Sequence, residues 1–183
     1  SLFQNSMGVV SPMLFWNSEC VLRRSDGFIK ALVEQVNMEF ASGYLYRSMS
    51  HDMKNLALNG YAKWLDKQYE EEREHALKLI AYIEDRDGTV DFLPIEGVKK
   101  HYDNPLDVAK DSLAHEEAVS ASIRSLVKLA REEGDLETEI FLQWYVTEQI
   151  EEEVNARDNI TGFEKAQEGA ALLYMFDNHL GDR

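Results

Sequence analysis

The stretch KQYEEEREHALKLIAYIED, Lys67 to Asp85, decides the fold. Its apolar residues recur at alternating spacings of three and four, the period of one face of a helix. Yet Glu72 and His75 fall on that face, in the line Leu65, Gln68, Glu72, His75, Leu79, Tyr82. An acid and an imidazole stand where leucines belong.

Three other stretches share the pattern, and each has an acid on its buried line. The first runs Leu32, Val36, Glu39, Gly43, Tyr46, Ser50, Met53. The third runs Leu106, Ala109, Leu113, Glu116, Ser120, Ile123, Val127, Ala130, and the fourth Thr138, Leu142, Tyr145, Gln149, Glu152, Ala156. Four seams of this kind predict an all-α helical bundle. Local signals set the expected boundaries. Asp26 caps helix A, which runs to the breaker pair Asn59 and Gly60. Helix B spans Tyr61 to Asp87 and stops at Gly88, and the connection through DFLPIEGVKKHYDN is long enough for the next helix to run parallel to it. Asn104 followed by Pro105 opens helix C, which ends at Gly134. Asp135 caps helix D as far as Thr161 and Gly162, and EKAQEGAALLYMFDNHL forms a shorter fifth segment. Strand signals are absent.

Burying several carboxylates together costs several kcal/mol each, roughly, and their mutual repulsion adds to this unless protons or cations compensate. A pair of metal ions supplies that compensation. Glu and His ligands with few sulfurs indicate first-row transition ions, and bridging carboxylates in helical bundles hold di-iron or di-manganese centres. Glu72 and His75, three residues apart on a helix, point the same way and can bind one ion together. Alone, that motif is weak. It gains force from Glu39, Glu116, Gln149 and Glu152, with EQIEEE in place of a second Glu-x-x-His. The predicted site is therefore asymmetric.

Composition narrows the partners. The chain of 183 residues suits one domain with a tail: residues 1–21 as an N-terminal extension, native or partly vector-derived, and residues 22–183 as the bundle. With 34 Asp plus Glu against 19 Lys plus Arg, the net charge of −15 repels phosphate backbones and anionic lipid, so neither nucleic acid nor membrane is expected as a partner. Cys20 is the only cysteine, which rules out an intrachain disulfide and suits a reducing, cytoplasmic setting. The apolar patch Met7 to Trp16 contains Pro12 and is too short for a membrane helix; neither a secretion signal nor a myristoylation signal is read there.

The segments EQVNMEF, YEEEREHA, AHEE and FLQWYVTEQIEEE, in this order and spacing from about Gly27 to Leu180, resemble the bacterial-type non-haem ferritins. The resemblance implies a ferritin-like four-helix bundle with a long B–C crossover and a short fifth C-terminal helix. It implies a ferroxidase that oxidises Fe(II) with dioxygen or peroxide. Glu39, Glu72 and His75 would form its first iron site, and Glu72 would bridge to a second, completed by Glu116 and Glu152 with Gln149 beside it. Glu71, Glu148 and Glu151 match a third iron position, giving two to three ions per subunit; Tyr46 matches a tyrosine packed beside the centre and Trp144 a nearby tryptophan. Haem is not expected, because Arg73 stands where bacterioferritins place a haem-ligating methionine.

The resemblance further implies a homo-oligomeric cage of 24 subunits that stores ferric mineral, seeded by acids such as Glu71 and Glu74. The cluster Glu132, Glu133, Asp135, Glu137 and Glu139 would flank an entry channel. The segment GAALLYMF packs either on other copies or over its own bundle, and residues 1–21 could drape over a neighbour. Two alternatives stand beside this reading: a non-storing di-iron oxidoreductase or peroxidase of the rubrerythrin kind, and a catalytically silent structural cage subunit.

Overall fold

The computed structural model describes residues 26–98 and 100–182. Five helices follow in order: α1 (Asp26–Asn55), α2 (Asn59–Asp85), α3 (Pro105–Glu133), α4 (Leu136–Ala166) and α5 (Ala170–Gly181), with no strand among the described residues. Helix α1 packs on α2, α3 on α4, and α1 also on α3. The start of α3 lies beside the start of α2, since Tyr102 and Leu106 share an apolar cluster with Leu58, Tyr61 and Leu65. Helices α2 and α3 therefore run parallel, as the long crossover predicted. That crossover is pinned to α1 at two places. The Asn37 amide donates to the Asp91 carbonyl at 3.0 Å while its oxygen accepts from the Leu93 N–H at 2.8 Å, and Asp52 accepts from the Tyr102 N–H at 3.0 Å.

The core comes in two halves. One holds Phe28, Leu32, Val36, Leu79, Ile83, Val119, Ile123, Leu142 and Tyr145; the other holds Tyr46, Met49, Met53, Tyr61, Leu65, Leu106, Ala109 and Phe163. Along every long helix the switch from one half to the other falls at an acid: Glu39, Glu72, Glu116 and Glu152, all buried. The four acids thus form one polar layer across the middle of the bundle. Two apolar plugs close it off along the axis.

Two caps agree with the sequence reading. The Asn104 side chain accepts from Leu106 N–H at 2.9 Å, and Asp135 accepts from Thr138 N–H at 3.1 Å. The side chain of Asp26 lies outside the described residues, as do residues 1–21, Cys20 and the patch Met7 to Trp16.

Three expected boundaries are corrected. Helix α1 ends at Asn55, before the Asn59–Gly60 pair, and Ala57 takes the left-handed position with φ 59°. Its N–H reaches Lys54 carbonyl at 3.0 Å while Leu58 N–H reaches Met53 carbonyl at 2.9 Å, and the buried side chains of Leu58 and Met53 join the same apolar cluster. This is the Schellman ending, whose paired bonds and apolar contact offset the roughly 1 kcal/mol of placing alanine there. Helix α2 ends likewise at Asp85, with Asp87 at φ 57° and Gly88 N–H on the Ile83 carbonyl at 2.8 Å. The left-handed residue is Asp87, not Gly88.

Helix α4 continues through Gly162 to Ala166. Gly60, read as part of a breaker pair, and Gly162, read as the end of helix D, are docking points for α5. A Cβ on Gly60 would stand 1.7 Å from the Asp177 carbonyl oxygen, and one on Gly162 would stand 2.0 Å from the Phe176 ring. In return, the Asp177 carboxylate accepts from Gly60 N–H at 3.1 Å and Tyr61 N–H at 2.8 Å, so α5 supplies the N-terminal cap that α2 lacks on its own. Helix α5 thus folds over its own bundle with Asp177 and Leu180 buried, while Leu172, Tyr174 and Met175 remain exposed.

Candidate metal centre

Glu39 from α1 and Glu72 and His75 from α2 meet in the polar layer. Each offers one ligand atom, and these atoms all lie within 4.8 Å of one another. The Nδ1 of His75 is 3.4 Å from Glu72 Oε2 and 4.0 Å from Glu39 Oε2. Both of those oxygens are buried and receive no amide, hydroxyl or backbone donor; the two carboxyls meet only one another. A desolvated carboxylate oxygen without a donor costs about 1–3 kcal/mol or more. Two of them facing one imidazole nitrogen, at a separation an ion with bonds of about 2.0–2.2 Å could span, is the arrangement of a cation site.

Four other carboxylate oxygens of the layer are held. Gln35 donates from its amide to Glu39 Oε1 at 2.7 Å, and the Ser122 hydroxyl on α3 donates to Gln35 in turn. Gln68 donates to Glu152 Oε2 at 2.7 Å. Glu116 is held on both oxygens, by the Tyr46 hydroxyl and by the Gln149 amide at 3.0 Å, which also reaches the Glu116 carbonyl at 3.3 Å. The imidazole is fixed by its surroundings: the Tyr145 hydroxyl donates to the His75 carbonyl at 2.7 Å, and Trp144 meets the ring edge-on at 5.4 Å.

Burial dominates the electrostatics. It pushes Glu39 and Glu72 well above the carboxylate range; the charge of Glu72 adds to this at Glu39, and that of Glu116 at Glu72. Glu152 is raised to about 7, again by burial first and then by Glu116. The Tyr46 phenol rises for the same two reasons. Without a cation, burial and mutual repulsion favour the protonated forms of Glu39, Glu72 and Glu152.

The structure brings the predicted residues together unequally. Glu39, Glu72 and His75 form the tight group; Glu116, Glu152 and Gln149 are buried in the same layer but held by Tyr46, Gln68 and each other. Glu148 is half-buried with Oε1 3.8 Å from His75 Nε2, and Glu71 is half-buried with Lys67 3.8 Å away. Glu151 is exposed. Trp144 is partly exposed, with the Lys78 ammonium 3.6 Å above its ring. Glu71, Glu74, His75, Lys78, Trp144 and Glu148 line a surface pocket of about 430 Å³, so the imidazole is reached from the α2–α4 face through acids. In the junction cluster, Asp135 is turned inward to cap α4 and meets Arg86 at 2.9 Å, while Glu139 pairs with Arg131 at 2.6 Å and Glu132 with Lys128 at 3.7 Å. Arg73 is exposed and paired with Glu70 at 2.8 Å.

Sequence reasoning assigned no role to Gln35, Gln68, Ser122 or the Tyr145 hydroxyl. A signal existed for Gln68, a polar residue on a buried seam; Gln35 lies one turn before Glu39, and its role depends on a serine from another helix.

Comparison with known proteins agrees with this fold. A family model described as the Ferritin-like domain matches residues 29–166. The bacterial non-heme ferritin of Staphylococcus aureus (strain MRSA252) is 30% identical over 159 residues, covering 87% of this chain and 96% of the relative. That of Bacteroides fragilis (strain 638R) is 35% identical over 159 residues, covering 87% and 99%. Among solved structures, the chain is similar to an open pore ferritin from the hyperthermophilic archaeon Archaeoglobus fulgidus, with a TM-score of 0.85 at 35% identity, covering 87% of this chain and 98% of the other.

Proposed function

The chain belongs to the ferritin family, and from that premise we propose that it stores iron and oxidises Fe(II) within the polar layer of its bundle. The observation that carries the reading is the pair of buried oxygens on Glu39 and Glu72, reached by no amide, hydroxyl or backbone donor, beside His75 Nδ1. Iron is substrate and cargo here. One Fe(II) binds Glu39, Glu72 and His75; a second binds Glu72, Glu116 and Glu152, with Gln149 beside it. For Glu116 and Glu152 to join, Tyr46, Gln149 and Gln68 must release or share the oxygens they now hold. A third position would use Glu71, Glu148 and Glu151.

Each Fe(II) gives up one electron, and dioxygen takes both together with two protons to leave as hydrogen peroxide. Pairing the ions makes the two-electron step accessible, since a collision of three species is replaced by one encounter with a loaded site. The carboxylates favour Fe(III) because they stabilise the higher charge. The protonated acids of the metal-free layer release protons as Fe(II) enters, which keeps the site close to neutral throughout. Ferric product would leave for the cavity of a homo-oligomeric cage of 24 subunits and accumulate there as mineral. The archaeal neighbour, described as an open pore ferritin, supports a shell of this kind. The exposed Leu172, Tyr174 and Met175 on α5 supply apolar surface for contacts between copies.

We retain the division into an extension, residues 1–21, and a bundle, residues 22–183, together with a haem-free, cytoplasmic protein. Among the described residues no helix is long and apolar enough to cross a membrane. The deciding experiment is Fe(II) oxidation in air, followed with native mass, for the wild type and for Glu72→Ala with His75→Ala. A large shell with rapid oxidation, lost in the double variant without loss of assembly, is expected. A dimer would favour the non-storing oxidoreductase. A shell whose oxidation rate is unaffected by the two substitutions overturns the site.

A further inference from the structure

A second opening reaches the polar layer from the other side. Between α3 and α4 lies a recess of about 160 Å³ lined by Ser120, Ile123, Arg124, Val146, Gln149 and Ile150. Its inner wall includes Gln149, whose amide is 3.0 Å from the Glu116 carboxylate. The recess therefore ends one hydrogen bond from the candidate centre. Its polar groups are already engaged. The Ser120 hydroxyl donates to Glu153 at 2.6 Å, and Arg124 lies 3.7 Å from the same carboxylate. What remains facing the space is aliphatic: Ile123, Val146 and Ile150.

We propose that this recess is the entry and holding site for the neutral oxidant, dioxygen, separate from the acidic pocket by which Fe(II) approaches. The inference rests on the ferroxidase reading above and adds to it a division of routes. The pocket on the α2–α4 face presents Glu71, Glu74 and Glu148, which attract a hydrated dication. The α3–α4 recess does the reverse. A dication would lose hydration against aliphatic walls without gaining a ligand. A small apolar molecule loses almost nothing on leaving water for such walls. Apolar cavities of about 150 Å³ take up xenon or benzene while staying dry, so a recess of this size has room for a diatomic gas. Entry here would bring the oxidant to the Glu116 end of the layer, away from the imidazole where Fe(II) arrives, so neither substrate blocks the other.

The test uses the assembled protein. Crystals of the metal-free wild type held under xenon pressure are expected to show xenon between Ile123, Val146 and Ile150. Two substitutions obstruct the route, Val146→Phe from within and Ile150→Trp from the exposed rim, the second without touching the core. Each is expected to leave anaerobic Fe(II) binding unchanged. Each should also lower the oxidation rate at limiting dioxygen about fivefold or more, with the rate recovered at high dioxygen. Unchanged dioxygen dependence in Ile150→Trp with Fe(II) binding intact overturns the route, as does a recess without xenon, and in both cases the ferroxidase reading stands. A wild-type protein that binds Fe(II) and fails to oxidise it removes the ferroxidase reading and this inference together.

Discussion

Removing the charge from one buried acid should stabilise the metal-free protein at neutral pH. Glu152 is 3% exposed, and burial followed by the nearby Glu116 raises its carboxyl from 4.5 to about 7. Between those values the folded chain holds a proton that the unfolded chain has lost, so stability present below about pH 4.5 drains away as pH rises through 7. At roughly 1.4 kcal/mol per pH unit, the loss attributable to Glu152 is about 3 kcal/mol. Glu39 and Glu72 are displaced in the same direction and steepen the trend. The perturbation is Glu152→Gln, which keeps the shape and can still accept from the Gln68 amide. Hydrogen exchange of bundle-centre amides, compared at matched intrinsic rates from pH 5 to 8 in metal-free protein, reads the opening free energy without requiring reversible melting of an assembly. The wild type should lose stability steadily across that window, and the variant should lose about 3 kcal/mol less. Parallel pH profiles for the two proteins would refute the claim that Glu152 is buried with a cost that protons relieve.

The same displaced acids predict proton release on metal binding: anaerobic Fe(II) titrations near pH 6.5, in buffers of different ionisation enthalpy, should show about one or more protons leaving per chain, and buffer-independent heats would contradict this. Gln68→Leu removes the donor to Glu152 Oε2, so the carboxyl should rise further and Fe(II) affinity at pH 7 should fall, with recovery at higher pH; a loss of affinity equal at all pH values would mean that Gln68 only fills space. Asp177→Ala uncaps α2 and should cost about 1–2 kcal/mol, read as faster exchange of the Gly60 and Tyr61 amides, whereas unchanged protection there would remove α5 as the cap. Gly162→Ala drives a methyl into the Phe176 ring and should expose α5 to proteolysis, and adding Phe176→Leu should restore protection in part; independent effects of the two changes would show that the ring contact is not what fixes α5.

How far the sequence could be read depended on how local each cause is. The helices followed from the period of their apolar residues, and the caps at Asn104 and Asp135 from the residue immediately ahead of the first turn. The misplaced boundaries share a different origin. Gly60 and Gly162 carry the local signature of breakers, but they sit inside helices because Asp177 and Phe176 of α5 need their bare backbone. For Gly60 that contact is 117 residues away along the chain. Ala57 and Asp87 take left-handed positions that propensity would give to glycine, because the buried pairing of Leu58 with Met53 fixes one ending and the Gly88 bond to Ile83 the other. No window of neighbouring residues contains these reasons.

The acids were legible for the opposite reason: each is a local contradiction, a charge on an apolar seam, repeated on four helices at the level where two hydrophobic clusters meet. A conflict of this kind between local pattern and global packing is expected where function has been given precedence over stability. What the pattern could not distinguish is which oxygens are held and which are left over. That depends on donors from other helices: Gln68 of α2 serves Glu152 of α4, and Ser122 of α3 supports Gln35 of α1. The leftover oxygens, Glu39 Oε2 and Glu72 Oε2, carry the functional argument. A bundle that merely tolerated its acids would have satisfied every oxygen with amides and hydroxyls, which it does at Glu116. Leaving two carboxyls to face only each other and His75, in a layer closed along the axis by apolar side chains, stores an unfavourable free energy that a cation relieves. Affinity for Fe(II) therefore derives in part from the cost of the metal-free fold, and substitutions that relieve that cost by supplying an internal donor should weaken iron binding as they stabilise the protein.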